Sequence, residues 1–530
     1  MDYIITVMFF AFMSIVLAVY YFVPKKHRYL VLLIFSFVFY AVYSKFLIVF
    51  LCFTILSLYF AGLLMNRLDN GFIKKKEGLD KDAKKALKNK IKKQKSFITA
   101  FTVCLNILIL AALKYSGMFA DLFEGVLSWF NVSKKIPVLK LGLPLGISYY
   151  TLSGIGYLIN VKRKGGNDYR AETNFGKFAL FMMYFPQMLE GPFAFYDELA
   201  PQLYEGHDWD KNRCTKGLLT ACYGLILKFV VADRLAIIAS EVFKNYSVYG
   251  GGIIALGILA FTLQLYAEFS GIIDFVSGIS QLFGITLAKN FEQPFFSKDV
   301  NEFWRRWHIS LGRWFKEFVF YPIAMSKPMM KLNKKIHGKV NKFFEMFIPS
   351  SIALFFVWFL NGMWHGASVK YIVYGLYYYA IMMIGMLIKP LFDRIFAKAN
   401  LSQKPKVQKT LDVLRVIRTF IIVNIGMLLF RANNLHVFGE MFLGLFKGGA
   451  LLLSPGVIDI YDGILCVLGV LFMTMTDVVK EYRLIDFGNW LATRNLAIRS
   501  ASFIAIFAFV LIFGAYGQGY VPVDPIYGGF

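Results

Sequence analysis

The chain is short of what soluble catalysts rely on. Only 17% of its 530 residues are charged, with 33 acidic side chains against 58 lysines and arginines. Soluble domains carry about 25% charged residues, so an ordinary water-facing surface is excluded. The five cysteines, Cys52, Cys104, Cys214, Cys222 and Cys466, show no CxxC or CxxH spacing. That argues against a zinc site and leaves no disulfide framework, so no metal is expected. All but Cys214 lie in apolar runs and are expected to be small core residues. There is no G-x-S-x-G nucleophile elbow, no phosphate-binding Walker loop and no H-E-x-x-H zinc helix. None of the six histidines has an aspartate five residues on. The first apolar stretch, Ile4–Phe22, lacks a basic start and an A-x-A cleavage site, so it reads as a retained helix.

What is present is apolar. Hydrophobic residues make up 58% of the chain and aromatics 18%, and the mean hydropathy is +0.56. Runs near the ~20 residues that cross a bilayer recur along the whole length. The net charge of +25 is gathered in loops: Lys25–Arg28, Lys74–Lys95, Lys162–Arg170, Lys327–Lys342, Lys389–Arg418 and Lys480–Arg499. Each lies beside an apolar run, so the positive-inside rule explains them without nucleic acid as a partner. Placing these loops in the cytoplasm gives about twelve spans (11–13) with both termini outside. In order they are Ile4–Phe22, Tyr29–Tyr43, Phe46–Met65, Phe97–Leu113, Leu141–Ile159, Gly217–Ala232, Ile253–Ser270, Ile348–Met363, Tyr371–Leu387, Phe420–Phe430, Ile458–Thr476 and Phe503–Phe513. Phe175–Phe195, broken by Pro186, Gly191 and Pro192, reads as a re-entrant or interfacial piece. The expected architecture is one all-α polytopic membrane domain over residues 1–530, with an extracellular tail at 514–530.

Two histidines stand out. His308 lies in NEFWRRWHISLGRWF (301–315) and His365 in FLNGMWHGAS (359–368), both aromatic stretches. An ionisable side chain at membrane depth is by default a functional hypothesis, and histidine exchanges protons near neutral pH. Asp299 followed by Glu302 resembles an acidic capping box and predicts a helix start. From there Trp304, His308, Leu311, Phe315 and Phe318 share one helical face, and Arg306, Ser310, Arg313 and Glu317 the next. The pattern predicts an amphipathic helix near the cytoplasmic surface with His308 turned towards the protein. His365 lies about 25 Å up the span that begins at Ile348, at 1.5 Å per residue, and so nearer the exterior. Gly362 and Gly366 bracket it and leave room for another chain or ligand.

The segments PQMLEGPFAFYDELAPQL (186–203), FWRRWHISLGRWFKEFVFYPI (303–323), NGMWHGAS (361–368) and LLFRANNL (428–435) occur in this order. In them the chain resembles the membrane-bound O-acyltransferase family, and within it the bacterial polysaccharide O-acetyltransferases of the alginate acetylation type. The resemblance implies a ring of helices around a central tunnel, with the family's principal catalytic histidine matching His365 and its second histidine matching His308. It implies a cytoplasmic acyl thioester donor, acetyl-coenzyme A or an acyl carrier, with no tightly bound cofactor. On this reading His365 takes a proton from the acceptor hydroxyl. His308 orients or polarises the thioester, Trp304 and Trp307 shape a dry acyl passage, and Asn361 donates to the developing oxyanion.

The tail, GAYGQGYVPVDPIYGGF (514–530), ends in Ile526, Tyr527 and Phe530. These match an I-Y-x-x-F pattern that in the family looks like an acyl acceptor, whose tyrosine hands the group to an external partner. Such a partner is expected to be an SGNH-type, esterase-like transferase acting on a surface or secreted polysaccharide, with the chain in the bacterial plasma membrane among its lipids. Two other readings stand beside this one. A D-alanyl transfer protein of teichoic acid synthesis is the nearest rival, although such proteins typically receive their acceptor tail from a separate subunit. In a proton-coupled transporter the two histidines would form a relay, but the halves show no internal symmetry of the kind many transporters carry.

Overall fold

The computed structural model describes residues 7–130, 135, 142–164, 170–188, 190–398, 405–454 and 456–515. Among them the chain forms α-helices, short 3₁₀ and π turns, and no β-strand, as expected for an all-α membrane protein. Among the described residues, eight helical segments are long and apolar enough to cross a membrane. Their outward faces are greasy, with Phe97, Leu108, Ile504 and Ile512 among the exposed side chains. This is a multi-pass membrane protein.

The count of eight is below the expected dozen, in part because one long segment joins two expected spans and Met8–Phe22 is a shorter apolar helix. Leu141–Ile159 becomes a helix from Ile147 to Lys164 that buries Ser148, Thr151 and Ser153. Gly217–Ala232 is interrupted by a π-helical turn, Leu227–Ala232, that carries buried Lys228. Phe175–Phe195 is broken as expected, into short helices at Phe175–Met183 and Phe185–Met188, and its side chains from Phe178 to Phe185 are buried. The first long segment, Lys25–Lys75, contains two of the expected spans in succession.

The helices gather into two compact units. The first draws on Met1–Leu218 and Val276–Ala288. It contains α1 (Val7–Phe22), α2 (Arg28–Ser44), α3 (Ile48–Lys75), α4 (Lys81–Trp129), α5 (Ile147–Lys164), α6 (Phe175–Met183), α7 (Phe185–Met188) and α8 (Tyr196–Glu205). Phe185 is fully buried against the rings of Phe12 and Phe39, at 5.4 and 5.7 Å. The α3–α4 hairpin is closed by Lys95, whose ammonium donates to Asp69 at 2.7 Å. Cys222 and Cys466 are buried as expected, but Cys214 is buried too and Cys104 is exposed, because a helix that faces lipid carries its apolar side chains outward.

The second unit draws on Leu219–Phe275 and Lys289–Ile526. Its helices follow α9 (Lys211–Ile226). They include α10 (Asp233–Lys244), most of α11 (Gly251–Leu282), α12 (Val300–Arg306), α13 (Ile309–Phe315), α14 (Tyr321–Ala324), α15 (Lys327–Ile336), α16 (Lys342–His365), α17 (Val369–Lys398) and α18 (Pro405–Arg431). Beyond them lie α19 (Leu435–Gly444), α20 (Ile460–Glu481), α21 (Phe487–Ala492) and α22 (Leu496–Phe513).

Two features hold this unit together. Lys228 donates to Asp233 at 2.7 Å and to Glu268 at 3.0 Å, with all three side chains buried. Removing one partner of such a buried set costs about 3–5 kcal/mol, because the others are left uncompensated. Helices α16 and α17 pack unusually close. A Cβ at Gly362 would lie 2.3 Å from the Tyr371 carbonyl oxygen, and one at Gly375 would lie 2.2 Å from that of Trp358. Only glycine permits this approach.

Candidate active site

The segment around His308 starts as the sequence indicates. The Asp299 carboxylate accepts the Glu302 N–H at 2.8 Å and caps α12, a contribution of about 1 kcal/mol. Glu302 closes the return bond from Lys298 N–H, also at 2.8 Å. The helix then stops. Trp307 is extended, with φ −110° and ψ 127°, and His308 is left-handed, with φ 48° and ψ 51°. A new helix begins at Ile309, so the continuous amphipathic face predicted from Trp304 to Phe318 is not formed. The reason is tertiary. The Glu292 N–H donates to the Arg306 carbonyl and the Ile309 N–H to that of Asn290, both at 2.9 Å. Phe291 and Trp307 form an antiparallel bridge between them. This pairing pins the chain open where periodicity alone would have carried it round another turn.

The break turns His308 inward, to 3% exposure. Its ring meets Phe269 edge-on at 4.8 Å and Trp364 at 5.6 Å. Nδ1 lies 3.1 Å from Asn290 Oδ1. Burial pulls the pKa of the imidazolium down to about 3, so the ring is neutral at physiological pH. Ser310, expected on the wet face, is buried beside it. A left-handed backbone costs a non-glycine residue about 1–3 kcal/mol and persists only where its surroundings enforce it.

His365 is the last residue of α16 and is 2% exposed. Its ring is edge-on to Trp364 at 5.0 Å, Phe430 at 5.3 Å and Tyr374 at 5.5 Å. Both histidines thus touch Trp364, and their ring centres lie no more than about 11 Å apart. The sequence places His308 nearer the cytoplasmic side and His365 nearer the outer side; the break at His308 and the α16 terminus set both rings against the same indole. The glycines beside His365 leave room for this chain's own helix and not for a ligand, since a Cβ at Gly366 would meet the Tyr371 ring at 2.4 Å.

Asn361 precedes His365 by four residues and so shares its helical face. It is buried, and its Oδ1 has no hydrogen-bond partner among the described residues. Trp304 packs against Tyr378 at 4.8 Å and Trp358 at 5.0 Å, and it meets Tyr374, the ring that also touches His365, at 6.4 Å. Trp307 packs with Phe291, Phe303 and Tyr266, and the Phe303 ring, which also meets Trp304 at 5.2 Å, links the two tryptophans. Tyr527 lies outside the described residues. Sequence reasoning missed Asn290, Trp364, Tyr374 and Phe430. Trp364 and Phe430 lay inside quoted motifs without a role, whereas nothing local marks Asn290 or Tyr374.

The chain matches the model of the MBOAT, or membrane-bound O-acyltransferase, family over residues 169–429, a stretch that holds Asn290, His308, Asn361 and His365. It is 30% identical to the probable alginate O-acetylase AlgI of Pseudomonas syringae pv. tomato over 444 residues, 84% of this chain and 74% of that one. The peptidoglycan O-acetyltransferase of Helicobacter pylori is 27% identical over 62% of this chain and 61% of its own length. The teichoic acid D-alanyltransferase of Bacillus subtilis is 28% identical over 55% and 69%. The chain belongs to the membrane-bound O-acyltransferase family and is a membrane O-acyltransferase.

Proposed function

We propose that the chain moves an acetyl group from a cytoplasmic thioester to the outside of the bacterial plasma membrane, for O-acetylation of a cell-surface or secreted polysaccharide. The observation that carries the reading is the meeting of His308 and His365 on one indole, inside a buried aromatic shell. The names of the relatives favour acetyl and a glycan. The relative named for alginate is matched over more of this chain than the one named for teichoic acid.

In the proposed step an acceptor hydroxyl attacks the thioester carbonyl while His365 removes its proton. The oxyanion is met by the Asn361 amide. The tetrahedral adduct then collapses, the C–S bond breaks, and the imidazolium of His365 returns the proton to the departing thiolate. A hydroxyl is a weak nucleophile near neutral pH, and a positioned base contributes about 10²–10⁴-fold. His308 orients the donor, and Trp304, with Trp307 behind it, keeps the acyl passage dry. The first acceptor is the Tyr527 phenol, from which an SGNH-type external transferase passes the group to glycan. Acetyl-coenzyme A is the simplest donor, and the reading needs no bound cofactor. The test is mass analysis of the host's wall and secreted glycans with and without the chain. Loss of ester-linked acetyl is expected; loss of ester-linked alanine instead would make the chain a D-alanyl transferase.

A further inference from the structure

We infer that Asn290 is a positioning residue that fixes His308 as the Nδ1–H tautomer, so that this histidine presents an Nε2 lone pair to whatever enters the site. The inference rests on the reading of His308 as a site residue and gives it a defined chemical face.

Asn290 Oδ1 lies 3.1 Å from the Ser310 backbone nitrogen, 2.8 Å from Ser310 Oγ and 3.1 Å from His308 Nδ1. A backbone N–H can only donate, so the Asn290 atom facing it is the amide oxygen and not the nitrogen, whichever way the amide is drawn. An amide oxygen can only accept. His308 Nδ1 must therefore carry a hydrogen. Burial keeps the ring neutral, and a neutral imidazole has one N–H and one lone pair. The lone pair is on Nε2.

Two further observations show that this oxygen is the point of the arrangement. Asn290 is 1% exposed, and its Nδ2 has no hydrogen-bond partner among the described residues, so the side chain is held in place by its oxygen. The Asn290 carbonyl also accepts from Ile309 N–H at 2.9 Å, which ties the same residue to the chain that leaves His308 as well as to its ring. Asn290 thus sets the backbone, the ring orientation and the tautomer together.

The consequence is specific. His308 orients by accepting an O–H or N–H, such as an amide N–H of the donor's thioester arm, and does not polarise a carbonyl by donating to it. This narrows the role that the resemblance implied.

The experiment is nitrogen NMR on histidine-labelled protein in micelles, with His308 identified by difference from His308→Gln. Wild type is expected to show a neutral ring protonated at Nδ1. Asn290→Asp keeps the acceptor and should keep Nδ1 protonated, as the neutral ring or, beside the new carboxylate, as imidazolium. Asn290→Leu should lose it, with kcat for acyl transfer falling about 10- to 100-fold, as orienting partners of functional imidazoles do. An Nε2–H ring in wild type overturns the inference, and so does Asn290→Leu with an unchanged signature and rate. Should Asn290→Leu fail to fold, the wild-type and Asn290→Asp spectra decide alone. Full transfer by His308→Ala would instead defeat the reading of the site and leave Asn290's hold on the ring standing.

Discussion

Gly362→Ala is a one-carbon change that tests whether the α16–α17 contact sets the place of His365. The added Cβ would lie 2.3 Å from the Tyr371 carbonyl oxygen, 3.1 Å from its carbon and 3.2 Å from Ile372 Cα. All three are backbone atoms and cannot rotate away. Ordinary contact begins at 3.4 Å, so the two helices must part by about 1 Å. His365 sits one turn further along α16 and moves with it. Displacement of that size at a reacting group costs on the order of 10²-fold in rate, and overpacking costs about 1–3 kcal/mol of stability. The assay is acetyl transfer from a labelled thioester by the purified protein, read beside thermal melting. Gly385→Ala on α17 is the control, because a Cβ there meets nothing within 4 Å. Its expected effect is a gain of about 0.4–1 kcal/mol and an unchanged rate. A Gly362→Ala protein with wild-type rate and melting would refute the reasoning.

The other expectations concern roles. His308→Ala should impair use of the thioester more than affinity for the acceptor; unchanged thioester consumption with collapsed acceptor affinity would exchange the two histidines' roles. Tyr527→Phe removes only a hydroxyl, so the protein should insert normally yet fail to deliver acetyl to glycan. A phenol of pKa ~10 leaves more readily than an alcohol and suits a relay, and full acetylation in this variant would make the tail ordinary. A cysteine at Asp82, in the basic stretch that opens α4, should be hidden from an impermeant thiol reagent in intact cells, and labelling there would reverse the proposed direction of transfer.

The sequence made the fold class plain, since apolar runs flanked by basic loops have few physical solutions. It also made the Asp299 cap legible, because that cap rests on residues within one turn of each other. The break at His308 was not legible. Trp304, His308 and Leu311 keep helical spacing through it, and only the pairing of Asn290–Glu292 with Arg306–Ile309 undoes the helix. Asn290 escaped for the same reason: an isolated asparagine 18 positions from its partner carries no local signal. Cys104 misled because hydropathy cannot tell a lipid-facing side chain from a core one, and Cys104 and Leu108 are both exposed.

The most direct test of the account is the rate of acyl transfer by the His365→Ala protein, with His365→Gln as a companion that better fills the buried site. Both should insert and melt as wild type does within a few degrees, while transfer from acetyl thioester to acceptor falls ~10²–10⁴-fold or more. Transfer within a few-fold of wild type by either variant would contradict the account, because the proton of the attacking hydroxyl would then have to leave by some group other than His365.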